Sequence, residues 1–370
     1  MCNGTEEPLD PTATFLERAF RFYDVIAALS NGTAPLSAAP AAGCLVPLPP
    51  LGAPTSSPLS SVDTLLGMAT TLWPIMHRLS TLPSLKAELD AAVGAGGGAT
   101  GGRAASSSAK IAVLRTEFEM SASSVEGALR AWQPHAPAVG VFAASASHDD
   151  LDELHSAVRR VAAVEAAQAD FGDAGLLAPP AEGTEAGYSA THNRLQSILH
   201  NALAYKHSAL VYLYRTVHEL ERSDEAVQRH ARAALRHCAG TVSARGPMGA
   251  LLWPLFVAAC EAVAGGDRAL ARQTFLGVER RQGMMNIERA WEIVQEVWRR
   301  ADEVEGEHAG SPLGEFPMIS FEALFGPGQC LEPTGLGCAG VEAGLRQRKG
   351  RGADLWRRVS EDMGVNIVFG

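Results

Sequence analysis

The sequence has no cysteines grouped at metal-ligand spacing. Its six, Cys2, Cys44, Cys238, Cys260, Cys330 and Cys338, are scattered through 370 residues. Without a Cys-x2-Cys or comparable grouping, a zinc framework has no basis in this chain. Such sparse thiols suit a reducing compartment, where a buried cysteine serves as a small hydrophobe. Positive charge is also short. Lys and Arg number 31 against 41 Asp and Glu, for a net charge of −10, the wrong sign for a chain that reads nucleic acid through a basic surface. The first ten residues, MCNGTEEPLD, lack the basic start and apolar stretch of a secretory signal. The greasiest run, near 250–264, is interrupted by Glu261 and falls short of the ~20 residues that cross a bilayer. No GxxxxGK[ST], GxSxG or HExxH element is present, so P-loop nucleotide chemistry and activated-nucleophile chemistry have no handle. The expectation is a soluble intracellular protein with no membrane partner.

What is there is helical periodicity. The chain is 46% hydrophobic and 19% charged, enough apolar content for a sizeable core. Asp10-Pro11 reads as the start of a helix running through FLERAFRFYDVIAAL, with Phe15, Ala19, Phe22 and Ile26 on one face. Further helices are expected over 61–82, 84–93, 109–132 and 148–171. Three inserts, 31–60, 94–108 and 326–352, read as loop or disordered from their Gly, Pro, Ala and Ser content. The strongest periodicity lies in 190–301. There a helix over 190–221 carries Leu195, Ile198, Leu199, Ala202, Leu203, Leu210, Leu213, Val217 and Leu220 on one face. A helix over 224–242, the apolar run, a helix capped by Asp267 and a helix over 286–301 follow. A terminal helix over 353–364 docks through Leu355, Trp356 and Val359. Alternation of strand type is short-lived everywhere. The fold class is all-α, with antiparallel helical hairpins stacked as an array in one domain, 1–370.

Within the apolar run, LLWPLFVAACEA (251–262), Pro254 either kinks a helix begun near Pro247 or itself begins the helix. Glu261 near the run's C-terminal end opposes the helix dipole and calls for a compensating partner. A kinked core helix is one reading and a ligand pocket the other. Trp253, Glu261, Tyr205 and Tyr212 are the effector-pocket candidates. Tyr205, Tyr212 and Tyr214, three of the five tyrosines, share one helix. His200 with His207, and His230 with His237, each stand two turns apart, a spacing read as a solvated or half-buried face.

The remaining chemistry is thin. In HDDLDELH (148–155), His148, Asp152 and His155 share a helical face, and Asp149, Asp150 and Glu153 resemble the DDxxE magnesium motif of class I terpene synthases. A hard cation needs oxygen ligands from two sides. The nearest second side, NRLQSILHN (193–201), has Arg194 and Asn201 where acids are needed. A capped helix with an acidic first turn accounts for the same residues. The basic stretch RQRKGR (346–351) is a candidate nuclear-import signal or a surface run.

ALLWPLFVAACEA (250–262), followed by GDR and RQGMMNIERAWEIVQEVWRRAD (281–302), resembles the fungal-specific transcription factor domain of the second type. AYKHSALVYLYRTVHEL, VQRHARAALRHC, VDTLLGMATTLWPIMHRLSTL and DLWRRVSEDMG resemble it too, in order along most of the chain. That domain is the C-terminal regulatory region of fungal Zn2Cys6 regulators. The resemblance implies an all-helical, non-catalytic domain in a nuclear regulator of RNA polymerase II transcription, answering to an effector or coregulator and able to form a homodimer. It also implies a two-zinc, six-cysteine cluster that binds DNA, and no such array occurs here. This chain then needs no zinc or other cofactor of its own, and DNA is reached through an upstream module or a partner. The stretch 330–352 departs from the family's pattern. A magnesium-dependent terpene-synthase-like enzyme and a plain helical scaffold are the rival readings.

Overall fold

Helical periodicity becomes helix throughout the residues that the computed structural model describes, which are 11–40, 62–96, 102–134, 190–244, 250–309, 355–365, 367 and 369. Among them are nine α-helices and no strand, so the fold is all-α. They are α1 (Pro11–Asn31), α2 (Trp73–Gly96), α3 (Gly102–Ala131), α4 (Ala190–Tyr212), α5 (Glu225–Ser243), α6 (Leu252–Cys260), α7 (Gly265–Gln282), α8 (Met285–Ala309) and α9 (Leu355–Asp362). α4 runs on into one π-helical turn, Leu213–Val217. The hairpin of α2 and α3 packs beside that of α4 and α5. α1 lies on α2, α6 and α7 close over α5, and α8 with α9 completes the stack against α6.

The apolar face read for α4 is buried from Leu195 to Val217, and Leu220 is half-buried beyond the helix end. Burial is more complete than one stripe, since every residue from 202 to 217 is inaccessible. α4 is the central rod. Its C-terminal turn is closed from α2, where the Lys86 ammonium donates to the Thr216 and Val217 carbonyls at 3.1 and 3.2 Å and pairs with Glu219. A cation there answers the negative helix end. The terminal helix docks as expected, with Trp356 and Val359 buried.

Several boundaries differ from the sequence reading. The helices expected over 61–82 and 84–93 are one helix, with Pro83 inside it. Residues 62–72 form turns, in which the Asp63 carboxylate accepts from the Leu65 and Leu66 amides and from Arg18. Of the insert expected over 94–108, residues 94–96 and 102–108 are helical. Arg103, Ala104 and Ala105 are good helix formers, so the α3 pattern extends backwards across the serines. On α1 the buried stripe is Phe22, Val25, Ile26 and Leu29, while Phe15 is exposed. α7 starts at Ala264, and Asp267 sits in its first turn rather than at its cap. The expected helix at 148–171, the insert 326–352 and the basic stretch 346–351 lie outside the described residues.

Gly67 closes the turn onto α4. Its φ is +57°, and a Cβ there would come 2.7 Å from Ile198 Cγ2. Both the left-handed backbone and the contact exclude a side chain. Gly67→Ala is therefore expected to lower unfolding stability by about 2 kcal/mol. A urea midpoint equal to that of the wild type would show that this turn is not held against α4.

Candidate functional site: the polar seam along α4

A rod buried on every side must satisfy each polar atom it carries within the protein, because an unpaired buried hydroxyl costs about 1–3 kcal/mol. α4 does this for most of its polar atoms in three clusters, while the Asn201 Oδ1 is buried without a partner. The first holds three of the four pocket candidates. Tyr205 stacks on Trp253 with ring centroids 5.6 Å apart, and Tyr212 lies 6.3 Å from Trp253. Phe22 of α1 and Trp73 of α2 join from the other side, 6.4 and 6.2 Å from Tyr205. The Tyr205 hydroxyl donates to the Ala250 carbonyl at 2.6 Å, and Tyr212 donates to the Leu29 carbonyl at 2.9 Å. Arg357 of α9 in turn donates to the Tyr212 oxygen at 2.8 Å and to the Leu29 and Ser30 carbonyls. Tyr205, Tyr212 and Trp253 are only 2–3% exposed. Burial pushes the Tyr205 phenol well above its ordinary range, so it stays protonated and remains a donor.

Pro254 neither kinks α6 nor begins it. The helix starts at Leu252, which puts Pro254 in the first turn. Amides there have no partner within the helix, so a missing N–H costs little. The Ala250 carbonyl that a longer helix would have set against the proline ring accepts from Tyr205 instead. Ser208 of α4 donates to the Pro254 carbonyl at 2.8 Å.

Glu261, the fourth candidate, closes the other end of α6 and forms the second cluster. Its carboxylate accepts from Arg215 Nε at 2.8 Å, with both side chains 8% exposed. Burial raises the Glu261 pKa, opposed by the charges of Arg215 and Arg222. The carbonyls around it are taken by side chains from four other segments. Trp298 Nε1 donates to Ala259, Gln228 to Glu261, and both Arg222 and Arg268 to Ala262, over 2.6–3.1 Å. Arg268 also pairs with Asp302 and lies over the Trp298 ring at 5.1 Å. The partner expected for Glu261 is thus an arginine from α4's last turn. Of the other capping residues, Trp298, Gln228 and Arg222 had no signal in the sequence, because they lie 33–40 residues from the carbonyls they cap.

The third cluster joins the two histidine pairs across helices rather than along them. His200 Nδ1 lies 2.9 Å from His237 Nδ1, and His207 Nδ1 lies 2.9 Å from His230 Nδ1. His207 stacks on His237, and His230 lies tilted against Tyr214 at 5.8 Å, so five rings form one ladder. Two antiparallel helices in register bring equal spacings together, and the matching two-turn intervals were the signal. His207 and His237 are buried rather than solvated. Burial, then His207, Arg229, Lys206 and Arg130, lowers the His230 pKa to about 3. At neutral pH the lowered His230 pKa keeps that ring neutral, so it shares one N–H···N bond with His207. A second proton would set two donors face to face.

Among the described residues, no three His, Cys, Asp or Glu side chains are placed to hold a metal ion. Arg194 and Asn201 lie on α4, and the 148–155 motif lies outside the described residues. Burial raises the Cys238 and Cys260 thiols well above their ordinary range, which keeps them protonated and unreactive. A groove of about 440 Å³ between α2 and α3, bordered by Arg78, Leu82, Glu117, Met120 and Ser124, contains none of the four candidates. The seam's polar groups are oriented for holding helices together.

The family model described as fungal specific transcription factor domain matches residues 4–370. The match also runs through 330–352. No curated protein and no solved structure matches the chain.

Two outcomes are expected from the seam. Arg215→Met leaves the Glu261 carboxylate buried without its arginine and is expected to cost about 3 kcal/mol. Arg215→Met combined with Glu261→Leu should recover most of that. If the double variant is as unstable as the single one, the loss lies in packing. For His230 the folded pKa lies below the ordinary 6.5, so the unfolded chain binds more protons between these values and stability falls as pH falls. Between pH 6.5 and 5 the loss is about 2 kcal/mol. The urea midpoint of His230→Gln should change less over that interval, and equal slopes in the two proteins would rule out this origin.

Proposed function

The chain belongs to the fungal specific transcription factor domain family, and on that premise we propose that it is a nuclear regulatory domain that switches RNA polymerase II transcription by repacking α4 to α8. A regulatory role in fungal transcription is what the family membership establishes. The match over residues 4–370 carries it. The finer reading is that an effector or coregulator binds one packing of the stack better than another, shifting the balance between them. Support comes from the Arg215–Glu261 pair. A buried ion pair contributes little net stability, yet breaking it is costly, so a second packing of the stack would have to exchange the pair as a whole rather than loosen it gradually.

Tyr205, Tyr212, Trp253 and Glu261 are 2–6% exposed, so an effector that reaches them enters a minor state in which α6 has parted from α4. DNA is contacted through an upstream module or a partner chain. Zinc enters only with such a module, and no catalytic step is assigned to this chain.

The test is a reporter driven by the full chain fused to an unrelated DNA-binding domain. The fusion should change reporter output, and Glu261→Gln should shift that output about fivefold or more, the scale of a modest coupling energy. Equal protein levels and thermal midpoints would separate switching from loss of fold. A fusion that leaves the reporter at the level of the DNA-binding domain alone would sink the proposal.

A further inference from the structure

α1 is apolar on the side that faces away from the core. Leu16 (60% exposed), Phe20 (59%) and Tyr23 (44%) run along that face. Leu36, 88% exposed, is brought beside them because the Leu36 and Ser37 amides donate to the Asp24 carboxylate at 3.0 and 2.7 Å. An ordinary surface helix presents charge here. The charged residues of α1 sit on its flanks and are engaged within the chain. Arg18 pairs with Asp63 at 2.6 Å, Arg21 with Glu17 at 2.8 Å, and Asp24 takes the strap amides.

We propose that this face binds the same face of a second copy, as an antiparallel twofold pair centred on Phe20. Three observations choose that occupant. The stripe is self-complementary, since reversing the helix direction about Phe20 sets Leu16 against Tyr23 of the partner and Phe20 against Phe20. The local charge is balanced, with Glu17 and Asp24 against Arg18 and Arg21. Copies that each carry a net charge of −10 meet most easily at such a neutral patch, and a charged peptide finds its flanking charges already paired. A lipid surface is a poor fit, because interfacial helices hold lysine and arginine on the polar face. The third observation is area. The four side chains expose on the order of 550 Å². Two such faces bury about 1,100 Å², at the low end of interface sizes, so the dimer is weak and concentration-dependent.

Sedimentation velocity on the full chain, from about 1 to 100 µM, tests this. The wild type should pass from monomer to dimer within that range. Phe20→Asp and Phe20→Lys should each weaken association at least tenfold, while Met120→Asp, on the exposed face of α3, should not. Mixing the Phe20→Asp and Phe20→Lys chains should restore dimers, because the opposite charges meet across the twofold axis. Phe20 lies outside the core, and unchanged helical circular dichroism would exclude misfolding. A wild type that stays monomeric, or a mixture that stays dissociated, overturns the proposal. So does a monomeric chain that takes up a different protein at Phe20.

Discussion

The complete enclosure of α4 sets the terms for everything around it. Residues 202–217 are inaccessible without a break, yet that span includes Tyr205, Lys206, His207, Ser208, Tyr212, Tyr214, Arg215 and Thr216. A wholly apolar rod would leave its neighbours free to slide and rotate, as uniformly greasy cores do. Here each buried polar atom needs a specific partner. Tyr205 fixes Ala250, Ser208 fixes Pro254, Tyr212 fixes Leu29, and Arg215 fixes Glu261. Hydrophobic burial supplies the driving force, and these bonds select one register for α6 and α1.

α6 shows how much a short helix depends on that arrangement. Its nine residues are too few to hold a helix in isolation, and all of them are buried. A buried C-terminal end with unpaired carbonyls would be prohibitive. The end is instead closed by Trp298, Gln228, Arg222 and Arg268, donors from α8, from α5 and the turn before it, and from α7. Glu261 then offsets the positive charge gathered there. Sequence alone makes Glu261 look like an intruder in an apolar run. In the fold, it is the counter-ion for arginines drawn in by the carbonyls.

How much of this was legible depended on whether the signal was local. The α4 face could be read because nine apolar positions recur at helical spacing; the Asp224 cap on the Ala226 amide at the start of α5 was seen only in the structure. The four pocket candidates were found by type and position. The packing of Tyr205, Tyr212 and Trp253 into one cluster, with Glu261 in another, rests on contacts between residues up to 183 positions apart, which no spacing rule reports. On α1 the inward side was legible at Phe22 and Ile26, and of the face read there Phe15 alone is exposed, because periodicity does not show where along a helix its neighbours end. The histidines fell between these cases, because the matching intervals were visible while the pairing needed the antiparallel register. The seam is also more polar than apolar periodicity suggests, since a pattern of greasy positions says nothing about the charged residues enclosed beside them.

α1 joins the two halves of the functional argument. Its inner face sends Phe22 into the Trp73 and Tyr205 cluster, and its last turn offers the Leu29 carbonyl to Tyr212 and Arg357. The outer face of the same helix carries the exposed apolar stripe. Contact alone does not couple two sites; coupling needs an element with two arrangements that both sites bias. α1 meets the seam through directional bonds from Tyr212 and Arg357 to the Leu29 carbonyl, and it would be such an element if a shift along its axis broke them together. A second copy that fixes α1 would favour the packing in which Tyr212 keeps its acceptor, and by linkage the same packing would favour the pair. Association and the state of the α4 seam are then two readings of one equilibrium.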